Sequence, residues 1–189
     1  MKKFILALIV VFSFCCVPVQ AASFGSTLFE KIALYIPNRV LDAIDLFSVN
    51  VGVGPVIEAR VMATRLIDVG AGANLVTYKF YKNFNRQIGL GIEEGWYWSL
   101  IFAGEESFSM LDSTSLIKKY AEYRAGIPDL TTRAYDFFDG PRDYWAIGGT
   151  VGFLVDADVY VHPLEWVDLV LGCLLIDIKG DDLTLADLQ

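Results

Sequence analysis

The fold is decided by the stretch 47-FSVNVGVGPVIEARVMA-63, in which apolar side chains alternate with polar residues and glycine. Alternation with a period of two indicates a β-strand that is buried on one side. The apolar residues stand at odd-numbered positions both before and after Gly54-Pro55-Val56. A turn with an odd number of residues joins two strands without changing which positions are apolar. We therefore predict two strands joined by a three-residue turn, with Val61 on the buried side and Arg60 on the other.

The same alternation returns further along the chain. It covers residues 67–75, 88–92, 96–102 and 151–161, with a polar loop at 82–85 and another odd turn at 93–95. Five strands in succession predict an antiparallel meander, and the sixth follows a long interruption. On the buried side we place Val51, Ala71 and Val155 with Val61, and on the polar side Asn50, Asn74 and Asp158 with Arg60.

Glycines recur on the polar side of these strands. They are Gly52, Gly54, Gly70, Gly72, Gly89, Gly91 and Gly152. Glycine weakens a strand, so its repetition at one parity predicts a strongly curved sheet, or the close approach of another group to that side.

Helical spacing occurs at both ends of the strand region. Leu28, Ile32 and Tyr35, and then Val40, Leu41, Ile44 and Leu46, predict two short amphipathic helices interrupted at Pro37-Asn38. A third helix is predicted from Pro163, with Leu164, Val167, Leu171 and Leu174 on its apolar side. We expect these helices to cover the aliphatic side of the sheet.

Residues 104–144 lack alternation and are predicted to form an ordered excursion, with a helix over Ser113 to Arg124 that ends before Gly126 and Pro128. The fold class is therefore α+β, mainly β: a curved antiparallel meander of about six strands with short amphipathic helices covering one face. A small transmembrane β-barrel is the alternative, because its strands also alternate between apolar and polar sides.

The first 21 residues have the pattern of a secretory signal peptide. Lys2 and Lys3 precede an apolar run from Phe4 to Val17, and Val19-Gln20-Ala21 is a small-residue cleavage pattern. Cleavage after Ala21 would leave residues 22–189 as a single β-rich domain and would take the net charge from −8 to −10.

Two of the three cysteines lie in the predicted signal peptide and the third lies near the other end of the chain. Cys15 and Cys16 lie within the apolar run, and lipidation at Cys15 is disfavoured because Phe14 stands where a lipid-attachment motif needs a small residue. Cys173 lies in an apolar stretch and is interpreted as a buried, inert thiol.

Composition excludes several classes of protein. The chain has 189 residues, a net charge of −8 and a hydrophobic fraction of 54%. An acidic chain lacks the basic surface of a nucleic-acid-binding protein, and the hydrophobic fraction is too high for intrinsic disorder.

Few residues suggest catalysis or metal binding. His162 is the only histidine, and no nucleophile is evident for it; Asp156 and Asp158 share its side of a strand, but only these two lie close enough to cooperate. The acidic tail residues Asp177, Asp181 and Asp182 do not follow a calcium-loop pattern. Glu93-Glu94 and Glu105-Glu106 are placed at solvated turns. We assign no catalytic residue, metal ligand or cofactor from the sequence.

Aromatic residues form three groups along the chain. They are Tyr78, Phe80, Tyr81 and Phe84; Trp96, Tyr97 and Trp98; and Tyr135, Phe137, Phe138, Tyr144 and Trp145. Such groups are typical of a membrane-interface belt, a ligand platform or ordinary core, and we place most of them in the core.

Three segments resemble a group of uncharacterised exported bacterial envelope proteins. They are Pro37 to Asp42, Val49 to Pro55, and His162 to Asp182. The resemblance implies location in the periplasm or outer membrane of a Gram-negative bacterium, and it carries no known activity or site residues. We expect a non-catalytic structural or binding role, with a membrane or an apolar ligand as the partner; the alternatives are an outer-membrane β-barrel and a binder of lipid.

Overall fold

The computed structural model describes residues 32–114 and 116–184. Six strands and two α-helices occupy most of this part of the chain. The predicted signal peptide, residues 1–21, and the cysteines Cys15 and Cys16 lie outside the described residues.

The elements are α1 (Tyr35–Asp45), β1 (Phe47–Thr64), β2 (Ile67–Lys82), β3 (Ile88–Ile101), β4 (Ala103–Ser113), β5 (Ala121–Ala125), β6 (Ile147–Val161) and α2 (Pro163–Gly172). A single 3₁₀ turn, Arg133–Tyr135, lies in the connection before β6.

The strands form one antiparallel sheet in the order β5-β4-β3-β2-β1-β6. β1 to β5 are a meander, and β6 returns along the free edge of β1, where Phe47 pairs with Val161. The predicted curved antiparallel sheet of six strands is confirmed. The alternative of a small β-barrel is wrong for the described residues, because their sheet does not close on itself.

Two predicted turns do not exist. β1 runs through Gly54-Pro55-Val56 with only a shift of register against β2, and β3 likewise runs through residues 93–95. The parity of the apolar residues is unchanged because one uninterrupted strand also preserves it. Pro55 is tolerated at this irregularity, where the ladder of backbone hydrogen bonds is already broken.

The predicted helix over Ser113 to Arg124 is also wrong. The excursion 104–144 contains β4 and β5, and Ser109 on β4 pairs with Ala121 on β5. Alternation was hidden here because Ser107 and Ser109 point outward, whereas Phe108 and Met110 point inward. The usual contrast between an apolar side and a polar side is therefore weak in β4.

The two sides of the sheet are inverted relative to the prediction. Val61 is 72% exposed and Arg60 only 7%. The same inversion applies to Val51, Ala71 and Val155, which are exposed, and to Asn50, Asn74 and Asp158, which are buried. We call the side that carries Arg60 the inner side and the side that carries Val61 the outer side.

The helices show the same inversion. α1 buries Asn38, Asp42 and Asp45, and α2 buries Glu165, Asp168 and Gly172. Their apolar residues, among them Ile36, Val40, Ile44, Val167 and Val170, are exposed. The helices therefore pack against each other through polar groups and leave the aliphatic side of the sheet uncovered. The predicted interruption at Pro37-Asn38 lies within α1, because proline is tolerated in the first turn of a helix. Leu28, in the first of the two predicted helices, lies outside the described residues.

The sheet curls toward its inner side. β1 and β4 are separated by β2 and β3, which in a flat sheet would place them about 14 Å apart. Arg60 of β1 and Glu106 of β4 nevertheless form an ion pair, with Nη2 and Oε2 3.2 Å apart. The inner side is thus concave and enclosed, and the outer side is convex.

Candidate functional site

The outer side of the sheet is an apolar surface without charge over three neighbouring strands. The outward positions of β1, of β2 between residues 67 and 80, and of β6 carry no Asp, Glu, Lys or Arg. Across the strands, Trp96, Ala73, Ile57 and Phe153 follow one another in register. The outward charges nearest to this area are Lys82 at the end of β2, Glu94 on β3 and Glu105 on β4.

The helices extend this surface beyond the sheet. The ring of Trp166 on α2 packs edge-on against Phe47 at the start of β1, with centroids 6.0 Å apart. Both rings are more than two-fifths exposed. We call the outward apolar residues of β1, β2, β3 and β6, with those of α1 and α2, the outer surface. Soluble monomers rarely expose continuous apolar patches larger than a few hundred Å², so this surface is the candidate site of the molecule.

The concave inner side is built from charged groups. Glu106 on β4 has zero exposure, and its carboxylate faces the guanidinium groups of Arg60, Arg65, Arg124 and Arg142. Burial alone would raise the pKa of Glu106, but these four arginines hold it well below its usual range. Glu106 is therefore ionised at neutral pH and serves as the central counter-charge of the inner side.

A second cluster surrounds Lys79 on β2. Its ammonium nitrogen lies 2.6 Å from Asp156 Oδ2, 3.0 Å from Asp158 Oδ2 and 2.9 Å from Glu93 Oε1. Tyr81 donates a hydrogen bond of 2.6 Å to the other oxygen of Glu93. Burial lowers the pKa of Lys79, but the surrounding carboxylates outweigh burial and raise it well above its usual value. Lys79 is thus a fixed cation between three carboxylates.

His162 belongs to a chain of hydrogen bonds that the sequence did not reveal. Its Nδ1 lies 2.7 Å from Asp143 Oδ2, and its Nε2 lies 2.6 Å from Ser48 Oγ. Ser48 and His162 are 114 residues apart, so no local motif marks the pair. The order Asp, His, Ser is that of a hydrolytic triad.

The surroundings of Ser48 favour a structural role. The hydroxyl also lies 2.6 Å from Asn83 Oδ1 and accepts a hydrogen bond from the backbone N–H of Phe84. Its single proton is donated to Asn83 Oδ1, so the N–H of Phe84 and His162 Nε2 face its two lone pairs and every bonding position of the oxygen is occupied. Ser48 has zero exposure and His162 is 2% exposed. A substrate carbonyl cannot reach this oxygen without displacing the groups around it, so the chain joins β1, the loop after β2 and the start of α2.

The other predicted site residues are dispersed. Asp156 and Asp158 lie in the Lys79 cluster, whereas His162 lies in the Ser48 chain. The oxygens of Asp177 accept the backbone N–H groups of Gly180 and Asp182, which makes the tail an ordinary acidic turn. Cys173 is exposed rather than buried, because the outer side of α2 is its apolar side.

The paired glutamates are divided between the two sides of the sheet. Glu93 and Glu106 point inward and are ion-paired, whereas Glu94 and Glu105 point outward. They lie within strands, so the prediction of solvated turns is wrong. The aromatic groups divide in the same way: Tyr81 and Tyr97 are buried, whereas Tyr78, Phe80, Trp96 and Trp98 belong to the outer surface.

Comparison with known proteins adds no assignment. No protein-family model matches the chain, and no curated protein or solved structure matches it. Among the described residues, no helix has the length and apolar character needed to cross a membrane.

Proposed function

We propose that this protein is exported to the bacterial cell envelope, where it has a non-catalytic role and binds lipid through its outer surface. The observation that carries the proposal is the outer surface itself, which is apolar, continuous from sheet to helices and free of charge over β6, β1 and residues 67–80 of β2. The signal-peptide pattern in residues 1–21 is the reason for placing the protein in the envelope.

Lipid acyl chains fit this surface because they need no hydrogen-bonding partners. β1 and β2 are paired with a neighbouring strand on both sides, and the side chains of the outer surface are hydrocarbon or aromatic. Moving apolar area out of water contributes roughly 25 cal/mol per Å². Tyr78, Trp96, Trp98 and Trp166 are side chains that favour the boundary between hydrocarbon and water.

The curvature of the sheet favours lipid over a second copy of the chain. The inner side is concave, as the ion pair between Arg60 and Glu106 requires, so the outer surface is convex. Two rigid convex surfaces meet over a narrow band, whereas fluid acyl chains follow the contour. Acyl chains therefore cover more of the outer surface than a second copy would.

The binding test uses the mature chain, residues 22–189, and vesicles of phosphatidylcholine and phosphatidylethanolamine. We expect the protein to float with the vesicles and to stay bound in 1 M NaCl, because charge attraction makes no contribution to the binding. The paired outward residues Val53 and Val155 are each changed to Asp in one double variant. This variant should fold but lose most vesicle binding.

The matched control is Ser107→Asp, which adds a charge at an outward position of β4, beyond the charge-free strands. It should bind vesicles like the wild type. Release by high salt, or equal binding by the double variant, would contradict the lipid proposal. A monodisperse dimer that does not bind vesicles would assign the outer surface to a second copy instead.

Export is tested separately by cell fractionation and intact-mass measurement. We expect the protein in the envelope fraction, with a chain that begins at Ala22. A chain that begins at Cys15 or Cys16 and carries acyl mass would establish a lipoprotein, and an uncleaved cytoplasmic chain would refute export.

A further inference from the structure

Three buried carboxylates converge on the inner side next to the Lys79 cluster. Glu58 lies on β1, and Asp156 and Asp158 lie on the neighbouring strand β6. One carboxylate oxygen from each lies within 4.8 Å of the others. Three oxygens at this separation can bind one metal ion from different sides.

Lys79 neutralises only part of this charge. Its ammonium contacts the Oδ2 atoms of Asp156 and Asp158, and also Glu93. The Oδ1 atoms of both aspartates are buried and have no hydrogen-bond partner among the described residues. With Glu58 included, four carboxylates face one ammonium group.

Glu58 interacts with the charge of Lys79 but has no direct contact partner of its own among the described residues. Its side chain is more than nine-tenths buried, and within residues 32–114 and 116–184 it makes no hydrogen bond or ion pair. A buried carboxylate without a partner is strongly destabilising unless a proton or a cation neutralises it. Burial raises the pKa of Glu58 to about 7, and the charge of Lys79 opposes this shift.

Space is available beside these oxygens. A cavity of about 120 Å³ reaches Glu58, Lys79 and Asp158. Gly52 and Gly152 flank Asp156, and a Cβ atom at Gly52 would collide with Asp156 Oδ1. The two glycines therefore allow Asp156 to pack close to β1, while the cavity itself borders Glu58 and Asp158.

We propose that Glu58, Asp156 and Asp158 form a binding site for Ca²⁺. Calcium prefers carboxylate oxygens and accepts irregular coordination, with water in the remaining positions. Lys79 stays beside the Oδ2 atoms, and one oxygen from each of the three carboxylates binds the ion. Because β6 is paired only with β1 in the described sheet, a bound ion fastens the C-terminal strand to the rest of the molecule.

The test uses the purified full-length chain and Tb³⁺ as a luminescent substitute for Ca²⁺. Tyr81 and Tyr97 on the inner side should sensitise Tb³⁺ emission, and Ca²⁺ should abolish the emission by competition. Ca²⁺ should also raise the melting temperature by several degrees.

Glu58→Gln is the informative variant, since it removes a charge that has no partner. Measured in EGTA, it should be at least as stable as the wild type, and its affinity for Ca²⁺ should be at least tenfold lower. Asp181→Asn is the matched control, because Asp42, Asp168 and Asp181 form a second acidic group near Arg39. The control should bind Ca²⁺ like the wild type.

Three results would overturn the proposal. They are the absence of Tb³⁺ binding by the wild type, unchanged affinity in Glu58→Gln, and loss of binding in Asp181→Asn. The third result would assign binding to the second acidic group. None of them bears on vesicle binding, because Glu58 lies on the inner side of the sheet.

Discussion

At the scale of single residues, the stability of the inner side depends on a few buried charged groups, each with several ion-pair partners. Glu106 is the clearest case, because four arginines surround one carboxylate that has no exposure. Removing one partner from a buried ion-pair network leaves the others uncompensated, and such losses are among the largest caused by single substitutions.

We expect Glu106→Gln to lower the free energy of unfolding by about 3–5 kcal/mol, because it leaves four guanidinium groups without their shared counter-charge. Urea denaturation at pH 7 measures the effect. The control is the neighbouring Glu105→Gln, which points outward and accepts a hydrogen bond from Tyr123. Its effect should stay below about 1 kcal/mol. Similar losses in the two variants would mean that Glu106 is not the centre of the network.

Ser48 supports a second prediction at this scale. If its hydroxyl is structural, Ser48→Ala should destabilise the protein by about 1–3 kcal/mol, because buried groups around His162 lose a partner. The wild type should also resist labelling by a fluorophosphonate probe, with a known serine hydrolase as the positive control. Stoichiometric labelling of Ser48 would instead establish a reactive nucleophile.

At the scale of elements, alternation predicted most strands but not where they end. Residues 47–63 are predicted as two strands but form one. Apolar residues at odd-numbered positions throughout fit both a turn with an odd number of residues and an uninterrupted strand. Nor did alternation tell which side is buried, because a period of two is symmetric between the sides. The glycines at 52 and 152 were the informative signal, since they mark the side where Asp156 approaches closely. No local sequence motif indicates the contacts between Ser48, Asp143 and His162, because Ser48 is far from the other two in the sequence.

Where the two helices meet, Gly172 on α2 leaves the space that the guanidinium group of Arg39 on α1 occupies. Arg39 on α1 forms ion pairs of 2.6 Å with Asp42 and 2.7 Å with Asp182, and a Cβ atom at Gly172 would overlap its guanidinium group. Gly172→Ala should therefore cost about 1–3 kcal/mol through overpacking. Thermal denaturation of this variant, with the exposed neighbour Cys173→Ala as control, measures the effect. Equal melting temperatures for Gly172→Ala and the wild type would show that Arg39 has another position available.

At the scale of the whole molecule, many charged groups are buried and many apolar groups are exposed. Because the buried carboxyl groups bind protons, the free energy of unfolding depends on pH. Burial raises the pKa values of Asp42, Glu58 and Glu165 to about 7 and that of Asp168 to about 6. Between about pH 4 and pH 7 the folded state therefore holds protons that the unfolded state has lost. Stability falls as pH rises through this window.

We expect the free energy of unfolding, measured in EGTA, to be a few kcal/mol larger at pH 5 than at pH 8. Below about pH 4.5 the trend reverses, because Glu93 and Glu106 have lowered pKa values and lose their ion pairs when protonated. Urea midpoints across this pH range check the prediction, and Glu58→Gln should reduce the difference between pH 5 and pH 8. A stability that increases steadily from pH 5 to pH 8 would contradict it.

The position of β6 beside β1 also has a consequence for how the chain reaches its folded state. β1 to β5 pair with their neighbours in sequence, but the other edge of β1 pairs with β6, which follows much later in the chain: Ser48 and His162 are 114 positions apart. Loops of this length close slowly, and folding rates fall as contacts become less local. We expect refolding to show an early phase for the meander and a late, rate-limiting phase in which β6 docks. Until then, the long edge of β1 is open to pairing with other chains, so the period before docking is when this protein is most prone to aggregate.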